Sequence, residues 1–458
     1  MRLFLTAALM GTTSLCLSSP AFAQPMSAEE AEALRGELAA LKAQVAALEE
    51  RLDRAADRPA PVASVGMAPA STPSAVAPAA QARPATEIGW KGAPELKSDS
   101  GWSFKPRGRI LIDAGHVSAP EGISDPALGF SNEIRRARLG VEGTMPGGFG
   151  YKLEADFAEG DAELTDAHLT YKHGPFKITV GQHNNFQGLE ELSSSNDTSF
   201  IERAAFTDAF GFERRIGVSG EYGRGDILVQ AGVFTDNASD LGDSGNSSVS
   251  LDGRLVYAPK LGETQLHFGT SAHWRNLGDT VTSVRYRQRP LVHSADIRFI
   301  STPSIGAKGE RGLGAEAAFI RGRFHGAAEA FWQTVERPGQ ADPTFFGGAI
   351  EAGLFLTDDR RGYRDGMFKG VKVKNPVGSG GLGAWQVNLR YDRLDLDDAG
   401  IDGGKQNGYM ASLIWTPIDY LRFMINYARL DYRGAVIPAG TDRNYGVDVV
   451  GMRGQIVF

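Results

Sequence analysis

The last fourteen residues, Tyr445 to Phe458, constrain the fold of this chain more than any other stretch. They read YGVDVVGMRGQIVF, and alternate positions such as Ile456 are apolar while Arg453 and Gln455 lie between them. This alternation predicts a β-strand with one apolar face and one polar face. Such a strand, ending on an aromatic residue, is typical of the closing strand of an outer-membrane β-barrel, where lipid meets the apolar face.

The amino terminus has the pattern of an export signal. Arg2 is followed by an apolar run from Leu3 to Leu17 and by Ala21-Phe22-Ala23, so residues 1–23 are predicted to be a signal peptide. The one cysteine, Cys16, lies inside it, and the mature chain should therefore hold no disulfide. No later apolar run is long enough for a transmembrane helix, so only a closed barrel could pair every backbone group in lipid.

Two segments separate the signal from the barrel pattern. Residues 24–56 are predicted to form a periplasmic coiled coil, because apolar residues recur at alternating spacings of three and four. These residues are Ala31, Leu34, Leu38, Leu41, Val45, Leu48 and Leu52. The alternative is an amphipathic helix packed on a domain. Residues 57–100 are rich in Pro and Ala without periodicity and predict an extended linker.

Residues 101–458 show the alternation of barrel strands. In the first segment Ile110 and Ile112 lie on one face, and Arg107, Arg109 and Asp113 lie on the other. Charged side chains cannot line a dry core, so the second face should meet a water-filled lumen. The sequence therefore predicts an all-β fold, a transmembrane antiparallel barrel.

Short and long connections alternate along this region, as periplasmic turns and outer loops do. The pattern predicts sixteen strands with both ends periplasmic, and it makes 357–382 a long periplasmic connection. If 284–300 were a strand, the count would be seventeen. Short turns are expected at 145–148, 173–175, 223–226, 260–263, 321–323 and 417–420, and longer polar stretches at 117–131, 183–213, 235–248, 276–311, 336–345, 394–406 and 432–444.

Several motifs from Trp102 to Phe458 resemble those of the phosphate-selective porin O/P family. They are GQHNNFQGLEELSSSNDTSFIER, GFERRIGV, RYRQRP, FGGAIEAGLFLTDDRRGY and GAWQVNLRYDRLDLDD, followed by NGYMASLIWTPIDYLRFMINYARLDY. The resemblance implies a trimer of sixteen-stranded barrels in the outer membrane of a Gram-negative bacterium. It also implies an inward-folded loop that narrows each pore, and an arginine ladder that guides anions such as phosphate to it.

The segment Gln182–Phe212 is the candidate for that constriction loop; the alternative is an ordinary outer loop. The family pattern has a basic residue just after the preceding strand, where this chain has His183-Asn184-Asn185, and another after the serines, where it has Asn196-Asp197. These departures keep open a general or weakly cation-preferring porin. The constriction candidates are Gln182, Glu190, Glu191, Ser193, Ser194 and Ser195.

Basic residues supply the candidates for lining the pore and binding anions. The chain has 35 Arg against 13 Lys, and a guanidinium offers oxyanions a planar fork that an ammonium lacks. Arg285, Arg287 and Arg289 alternate in sequence, so an extended backbone would place them on one side, about 6.6 Å apart. The alternative is a solvated charged face paired with Asp and Glu. The candidates are Arg109, Arg136, Arg138, Lys177, Arg203, Arg215, Arg285, Arg287 and Arg289.

Other assignments follow from what the sequence lacks. There is no HExxH motif, no serine elbow and no metal-ligand spacing among the eight His, so we expect no enzyme, metal or cofactor. An exported acidic chain is also a poor nucleic-acid ligand. The expected partners are further copies of the chain, outer-membrane lipid and small anions. If the coiled coil tethers the outer membrane to the cell wall instead, peptidoglycan is a further partner. Arg337, Arg360 and Arg361 are expected to lie away from the anion path.

Overall fold

The computed structural model describes residues 86–158, 160–239, 247–279 and 281–458. The predicted signal peptide, the coiled coil and most of the linker lie outside these residues. Sixteen long strands, numbered β1 to β16 here, form one antiparallel barrel. Within the described ranges no helix has the length and apolar character needed to cross a membrane.

The barrel strands are 8 to 18 residues long. Their bounds are β1 Ser103–Val117, β2 Gly129–Met145, β3 Phe149–Asp156, β4 Glu163–His173, β5 Phe176–Asn184, β6 Arg214–Arg224, β7 Ile227–Phe234, β8 Val249–Tyr257, β9 Thr264–Asn276, β10 Gly309–Arg321, β11 Phe324–Glu336, β12 Thr344–Phe355, β13 Ala384–Asp398, β14 Ile401–Ile418, β15 Leu421–Arg433 and β16 Tyr445–Val457.

The barrel is closed by pairing between the last strand and the first. β16 pairs with β1 from Val449, opposite Val117, to Val457, opposite Arg109. Beyond it, Phe458 and Gly108 each donate a backbone N–H to the other's carbonyl at 2.9 Å. The prediction of sixteen strands is confirmed, because the segment 284–300 adds no barrel strand.

The two barrel faces differ as the alternation predicts. On β1 the outward-facing side chain of Ile112 is 56% exposed, whereas Arg109 and Asp113 point inward and are buried. Aromatic side chains face outward near both ends of the barrel, as at membrane–water interfaces. Examples are Phe130, Trp274 and Trp332 near the outer end, and Phe149, Phe176 and Phe423 near the periplasmic end.

The stretch 394–406 was predicted to be a long polar loop, and this prediction is wrong. β13 and β14 continue through it and are joined by Ala399 and Gly400 alone. Both residues have positive φ, 47° and 80°, as a tight two-residue hairpin requires. The polar sequence belongs to strand ends, where Asp395 and Lys405 pair across the hairpin at 3.0 Å.

The end of the predicted linker also differs from its sequence pattern. Thr86–Trp90 and Pro94–Ser98 form a β-hairpin. The second strand of this hairpin pairs with the start of β1 through two residue pairs. Its turn packs on the barrel seam, because a Cβ added to Gly92 would lie 3.1 Å from Cα of Phe458. A composition of Pro and Ala does not reveal this hairpin.

Two outer loops and one periplasmic connection fold into the barrel. Loop L3 (185–213) contains two short helices, α1 Leu189–Leu192 and α2 Ala205–Ala209. Loop L5 (277–308) contains a short pairing of Ser283–Val284 with Ile305–Gly306. The periplasmic connection (356–383) contains a small hairpin of Gly362–Arg364 with Met367–Lys369 and a 3-10 turn, Val377–Ser379.

Apolar side chains of L3 and L5 form the largest core of the protein, and it lies inside the barrel. They pack against inward-facing residues on the outer half of the wall, mainly from β11 to β16. Part of the lumen is thereby filled, and the space that remains open is bordered by β2 and β4 to β6 and by β9 to β11. Members of this core are Phe200, Ile201, Phe206 and Phe210 from L3, Val292, Phe299 and Ile300 from L5, and Phe331, Phe345, Leu394, Leu396, Leu430 and Val449 from the wall.

Candidate functional site

L3 enters the lumen at Gly188 and is fixed there by an acidic wall residue. The backbone N–H groups of Leu189 and Glu190 donate to the two carboxylate oxygens of Glu329, at 2.9 and 2.8 Å. Gly188 has φ 115°, and a Cβ added to it would lie 2.8 Å from the Glu329 carboxylate. Only glycine tolerates this conformation readily, so the sequence QGLEEL is suited to placing α1 against β11.

The rest of L3 is fixed along the neighbouring part of the wall, on β13 and β15. Backbone N–H groups of Ile201 and Ala205 donate to side chains of Asn426 and Asp392, at 3.0 and 2.7 Å. Arg422 of β15 donates to two L3 carbonyl oxygens, at 2.9 and 2.6 Å. L3 is therefore hydrogen-bonded to the barrel wall along the arc from β11 to β15.

A β-bulge places three arginines on the wall opposite L3. Leu111 of β1 pairs with Arg136 of β2, and the next residue, Ile112, pairs with Ile134. Arg135 is thus an extra residue in β2, and it points inward together with Arg136, since a bulge lets two neighbouring residues share a face. Strand alternation brings Arg138 to the same side.

Carboxylates pair with the arginines of this wall. Arg138 binds Asp156 at 2.8 Å and Glu154 at 3.2 Å, and Arg109 also binds Glu154 at 3.2 Å. Arg136 lies 3.5 Å from Asp156. Buried charges need such partners, because an unpaired charge in a poorly solvated site is costly. The net charge of this part of the barrel wall is therefore close to zero despite its many arginines.

The open space between L3 and this wall is a cavity of about 270 Å³, here called the constriction cavity. It is lined by six arginines and five carboxylates, so its formal charge is close to balanced. L3 itself supplies Glu191, Glu202 and Arg203. Burial raises the pKa of Glu191, an effect that the nearby Arg203 opposes. The charged lining residues are Arg135, Arg136, Arg138, Arg203, Arg214, Arg289, Glu163, Glu191, Glu202, Asp208 and Glu213.

A second cavity, the outer vestibule, lies between L5, α2 and strands β6, β9, β10 and β11. It measures about 450 Å³ and has six arginines against three carboxylates, Asp208, Glu213 and Glu310. Its arginines are Arg215, Arg275, Arg285, Arg287, Arg289 and Arg298. Asp208, Glu213 and Arg289 line both cavities, so the vestibule adjoins the constriction cavity at these residues.

L5 presents its three alternating arginines toward the vestibule. Tyr286 and Gln288 are buried, at 3% and 4% exposure, whereas Arg285 and Arg287 are exposed. Among the described residues neither Arg285 nor Arg287 has a carboxylate within ion-pair distance, while Arg289 lies 3.3 Å from the exposed Asp296. The alternation that the sequence predicts for this segment is present in an extended piece of L5.

Arg215, on β6, is the most deeply buried arginine of the vestibule lining, with 4% exposure. Its Nη2 donates to Glu213 at 3.1 Å. Its Nε and Nη1 have no hydrogen-bond partner among the residues that the structure describes. Two free donors at the edge of a water-filled cavity suit an anionic ligand or water.

Not all predicted site residues face the open cavities. Lys177 pairs with Glu221 near the periplasmic end of β5 and lines neither cavity. Arg203 binds Glu191 at 3.3 Å and donates to three carbonyls between Glu190 and Ser193, at 2.9 to 3.1 Å. Its guanidinium thus holds α1 in place as well as lining the constriction cavity.

The constriction candidates are chiefly engaged within the protein. Gln182 accepts the N–H of Ala238 at 2.6 Å, and Glu190 accepts from Arg390. Ser194 accepts the N–H of Asn196 at 3.3 Å, and Ser195 accepts from Arg109 at 3.1 Å. The hydroxyl of Ser193 is buried, with no partner among the described residues.

Several charged residues of the lumen are not apparent from simple alternation. Arg135 is displaced by the bulge, and Arg275 and Arg298 reach the vestibule from β9 and L5. Arg361, expected away from the anion path, is 7% exposed inside the barrel because the periplasmic connection folds inward. The adjacent arginines of IRRAR (134–138) could have indicated a bulge, since strict alternation would send one of them into lipid.

Comparison with known proteins agrees with this geometry. The profile of the family described as phosphate-selective porin O and P matches residues 104–458. This chain belongs to that family. A Caulobacter vibrioides protein described only as uncharacterized is 49% identical over 463 residues, covering 97% of this chain and 94% of that protein.

Two solved porin structures are similar in fold. OmpT of Vibrio cholerae, in its trimer form, has a TM-score of 0.51 at 11% identity and covers 78% of this chain and 100% of OmpT. An anion-selective porin from Comamonas acidovorans has a TM-score of 0.49 at 13% identity, with coverage of 78% and 100%. As a porin O and P family member, this chain is an outer-membrane channel of a Gram-negative bacterium, and family and fold point to a channel rather than an enzyme.

Proposed function

We propose that this porin conducts small hydrophilic anions by passive diffusion and that phosphate and polyphosphate are its leading substrates. The observation that carries the proposal is the outer vestibule, where six arginines face three carboxylates. Positive charge in a confined aqueous space raises the local concentration of anions and lowers that of cations. Membership of a family described as phosphate-selective supports the choice of oxyanion.

An anion entering from outside would meet the exposed guanidinium groups of Arg285 and Arg287 first. It would then reach Arg289, which lines both cavities. Each guanidinium can donate two parallel hydrogen bonds to a pair of phosphate oxygens. Beyond this point the arginines are paired with carboxylates, so the anion is held less tightly. Weaker binding at the narrow part lets the anion leave, as conduction requires.

The second candidate is a general or weakly cation-preferring porin. The near balance of the constriction cavity, with six arginines and five carboxylates, is the observation that favours it. His183 and Asp197 stand where the family pattern has basic residues, which further lowers the positive charge of L3. If the constriction rather than the vestibule determines selectivity, the channel would discriminate little between ions.

Two further proposals concern assembly. We expect a homotrimer, as the family resemblance implies and as the trimer form of OmpT illustrates. The coiled coil would either stabilise the trimer or attach the channel to peptidoglycan. A deletion that tests the tether should stop at residue 85, since the hairpin from Thr86 to Ser98 packs on the barrel. A shortened channel that still conducts but no longer co-sediments with peptidoglycan would support the tether.

The decisive experiment is the reversal potential of purified channels in a lipid bilayer across a potassium chloride gradient. The proposal predicts a reversal potential with the sign expected when chloride permeates more readily than potassium. Potassium phosphate added on the outer side should then reduce the chloride current in a saturable way. A potential near zero or of the cation sign would favour the second candidate, and an unsaturable response to phosphate would argue against oxyanion binding.

A further inference from the structure

One buried arginine of the periplasmic connection, Arg361, contacts L3 directly. The Nη2 of Arg361 donates to the carbonyl of Asp197 at 2.7 Å, and its Nη1 donates to the hydroxyl of Ser199. The same guanidinium lies 3.6 Å from Glu351, an inward-facing residue of β12. Arg361 therefore bonds two residues of L3 and one residue of the wall while belonging to neither.

A second group of contacts joins the same two segments. Gly370 packs directly on Asp197, because a Cβ added to this glycine would lie 2.7 Å from Oδ1 of Asp197. The ring of Phe368 lies 4.3 Å below the Arg361 guanidinium and packs in one apolar cluster with Leu189 of α1. L3 is thus supported at both 189 and 197–199 by the inward hairpin. Asp197, which departs from the family pattern, has a structural use here.

The hairpin is itself held on the barrel wall. Arg254 of β8 donates to the carbonyl of Gly366 at 2.9 Å, and the hydroxyl of Tyr363 lies 2.6 Å from Nδ1 of His267. These contacts form a chain from the wall through the hairpin to L3. A displacement of the hairpin would therefore change the position of L3 unless the Arg361 contacts broke.

The side chain of Arg361 is buried where it makes these contacts. Burial lowers the pKa of Arg361, and the charges of Glu351 and Asp197 oppose that effect. A guanidinium in such a place stays charged only with good partners. Removing it would leave the Asp197 carbonyl and Glu351 with fewer donors, and buried groups without partners are unfavourable.

We propose that Arg361 is a positioning residue that holds L3 from the periplasmic side and thereby keeps the constriction at one width. The width of the narrowest section determines the current through a pore, because that section dominates the electrical resistance. With Arg361 intact, the channel shows one conductance level. Without Arg361, L3 moves between several positions, and the current changes each time L3 moves. The proposal rests on channel activity and is independent of anion preference.

Single-channel recordings on R361Q test this proposal. We expect loss of the single open level, replaced by several levels and larger open-state noise. The matched control is R360Q, which removes the same charge from the neighbouring exposed residue and should keep the single level. Heat modifiability on detergent gels should be the same for both variants, because the barrel strands are untouched. Equal noise and levels in R361Q and R360Q would overturn the proposal.

A second variant keeps the test sharp if R361Q is not recovered from membranes. S199A removes only the hydroxyl that Arg361 and Glu351 share. Loss of the single level in S199A supports the proposal, and an unchanged level overturns it. A change in noise with an unchanged reversal potential would separate this result from the proposed anion preference, which the reversal potential alone reports.

Discussion

Nε of Arg135 donates to Oε1 of Glu202 across 2.8 Å and joins the bulged barrel wall to L3 at the edge of the constriction cavity. Arg453 of β16 approaches the same carboxylate at 3.0 Å. Burial raises the pKa of Glu202, but the charges of Arg135 and Arg453 outweigh it and hold that pKa below its usual range. Glu202 is therefore ionised, and it partly neutralises the positive charges of the two arginines.

The first prediction is that Glu202→Gln makes the channel more anion-selective. The change removes one negative charge from the constriction lining and frees the guanidinium of Arg135 to attract anions. The reversal potential in a chloride gradient should move further in the anion direction. Since the pKa of Glu202 is lowered, native Glu202 stays charged as pH falls from 7 to 5. Its effect should then persist over that range.

The matched control is Glu121→Gln, an exposed carboxylate of the loop between β1 and β2. It removes the same charge outside both cavities and should leave the reversal potential nearly unchanged. Equal shifts in the two variants would mean that Glu202 acts only through the overall charge of the outer surface. A shift in the cation direction for Glu202→Gln would contradict the assignment of Arg135 to the ion path.

Alternation in sequence predicts which residues face inward wherever strands are regular. It places Arg109, Arg136 and Arg138 on the lumen side, because side chains of a strand alternate strictly. It misses Arg135, since a bulge is a local insertion that depends on pairing with β1. It places Arg361 in the periplasmic connection but does not show that the side chain is buried inside the barrel. A residue in a connection has no face until the connection is docked, and that docking involves L3, far away in sequence.

The second prediction concerns the arginines of L5. Replacing Arg285, Arg287 and Arg289 together by Gln removes three positive charges from the vestibule while keeping polar side chains. The anion over cation permeability ratio should fall sharply, and its dependence on salt should weaken because less charge remains to be screened. Reversal potentials measured at low and high salt would show both effects.

Its control replaces Arg224, Arg323 and Arg337 by Gln. Arg224 and Arg323 are exposed beside periplasmic turns, Arg337 is half-buried in the loop after β11, and none of the three lines either cavity. This variant removes the same charge from the protein, so a similar loss of selectivity would argue that net charge, not the vestibule, attracts anions. A native ratio in the L5 variant would remove the main support for the proposed function.

The third prediction tests the apolar core inside the barrel. Leu394 of β13 is fully buried, with 0% exposure, in the cluster formed with L3 and L5. Leu394→Ala should lower the free energy of unfolding by about 2–5 kcal/mol, because it leaves a cavity. Denaturant unfolding in detergent would measure the loss. Leu389→Ala on the lipid face of the same strand, where the side chain is 66% exposed, should cost much less.

That core also shows where sequence reasoning stops. Leu394 and Leu396 lie on the lumen side of β13, although a wet lumen favours polar residues there. The same cluster contains Phe299 and Ile300 from L5, which the sequence identifies only as a long polar connection. Pairing between a strand and a loop so distant in the chain requires the three-dimensional arrangement. Inward-facing leucines in a porin strand are the signal that a loop covers them.

The last prediction concerns Arg215, whose Nε and Nη1 have no partner among the described residues. If a phosphate oxygen accepts from these donors, Arg215→Gln should weaken the block of chloride current by phosphate. Loss of a hydrogen bond to a charged group costs about 1.5–3 kcal/mol, which corresponds to about a tenfold or larger rise in the blocking concentration. Lys177→Gln removes a charge already paired with Glu221 near the periplasmic end and should leave the blocking concentration unchanged. Phosphate titrations of the current through both variants at constant ionic strength would decide between them. An unchanged blocking concentration in Arg215→Gln would show that water, and not phosphate, fills the space beside this guanidinium.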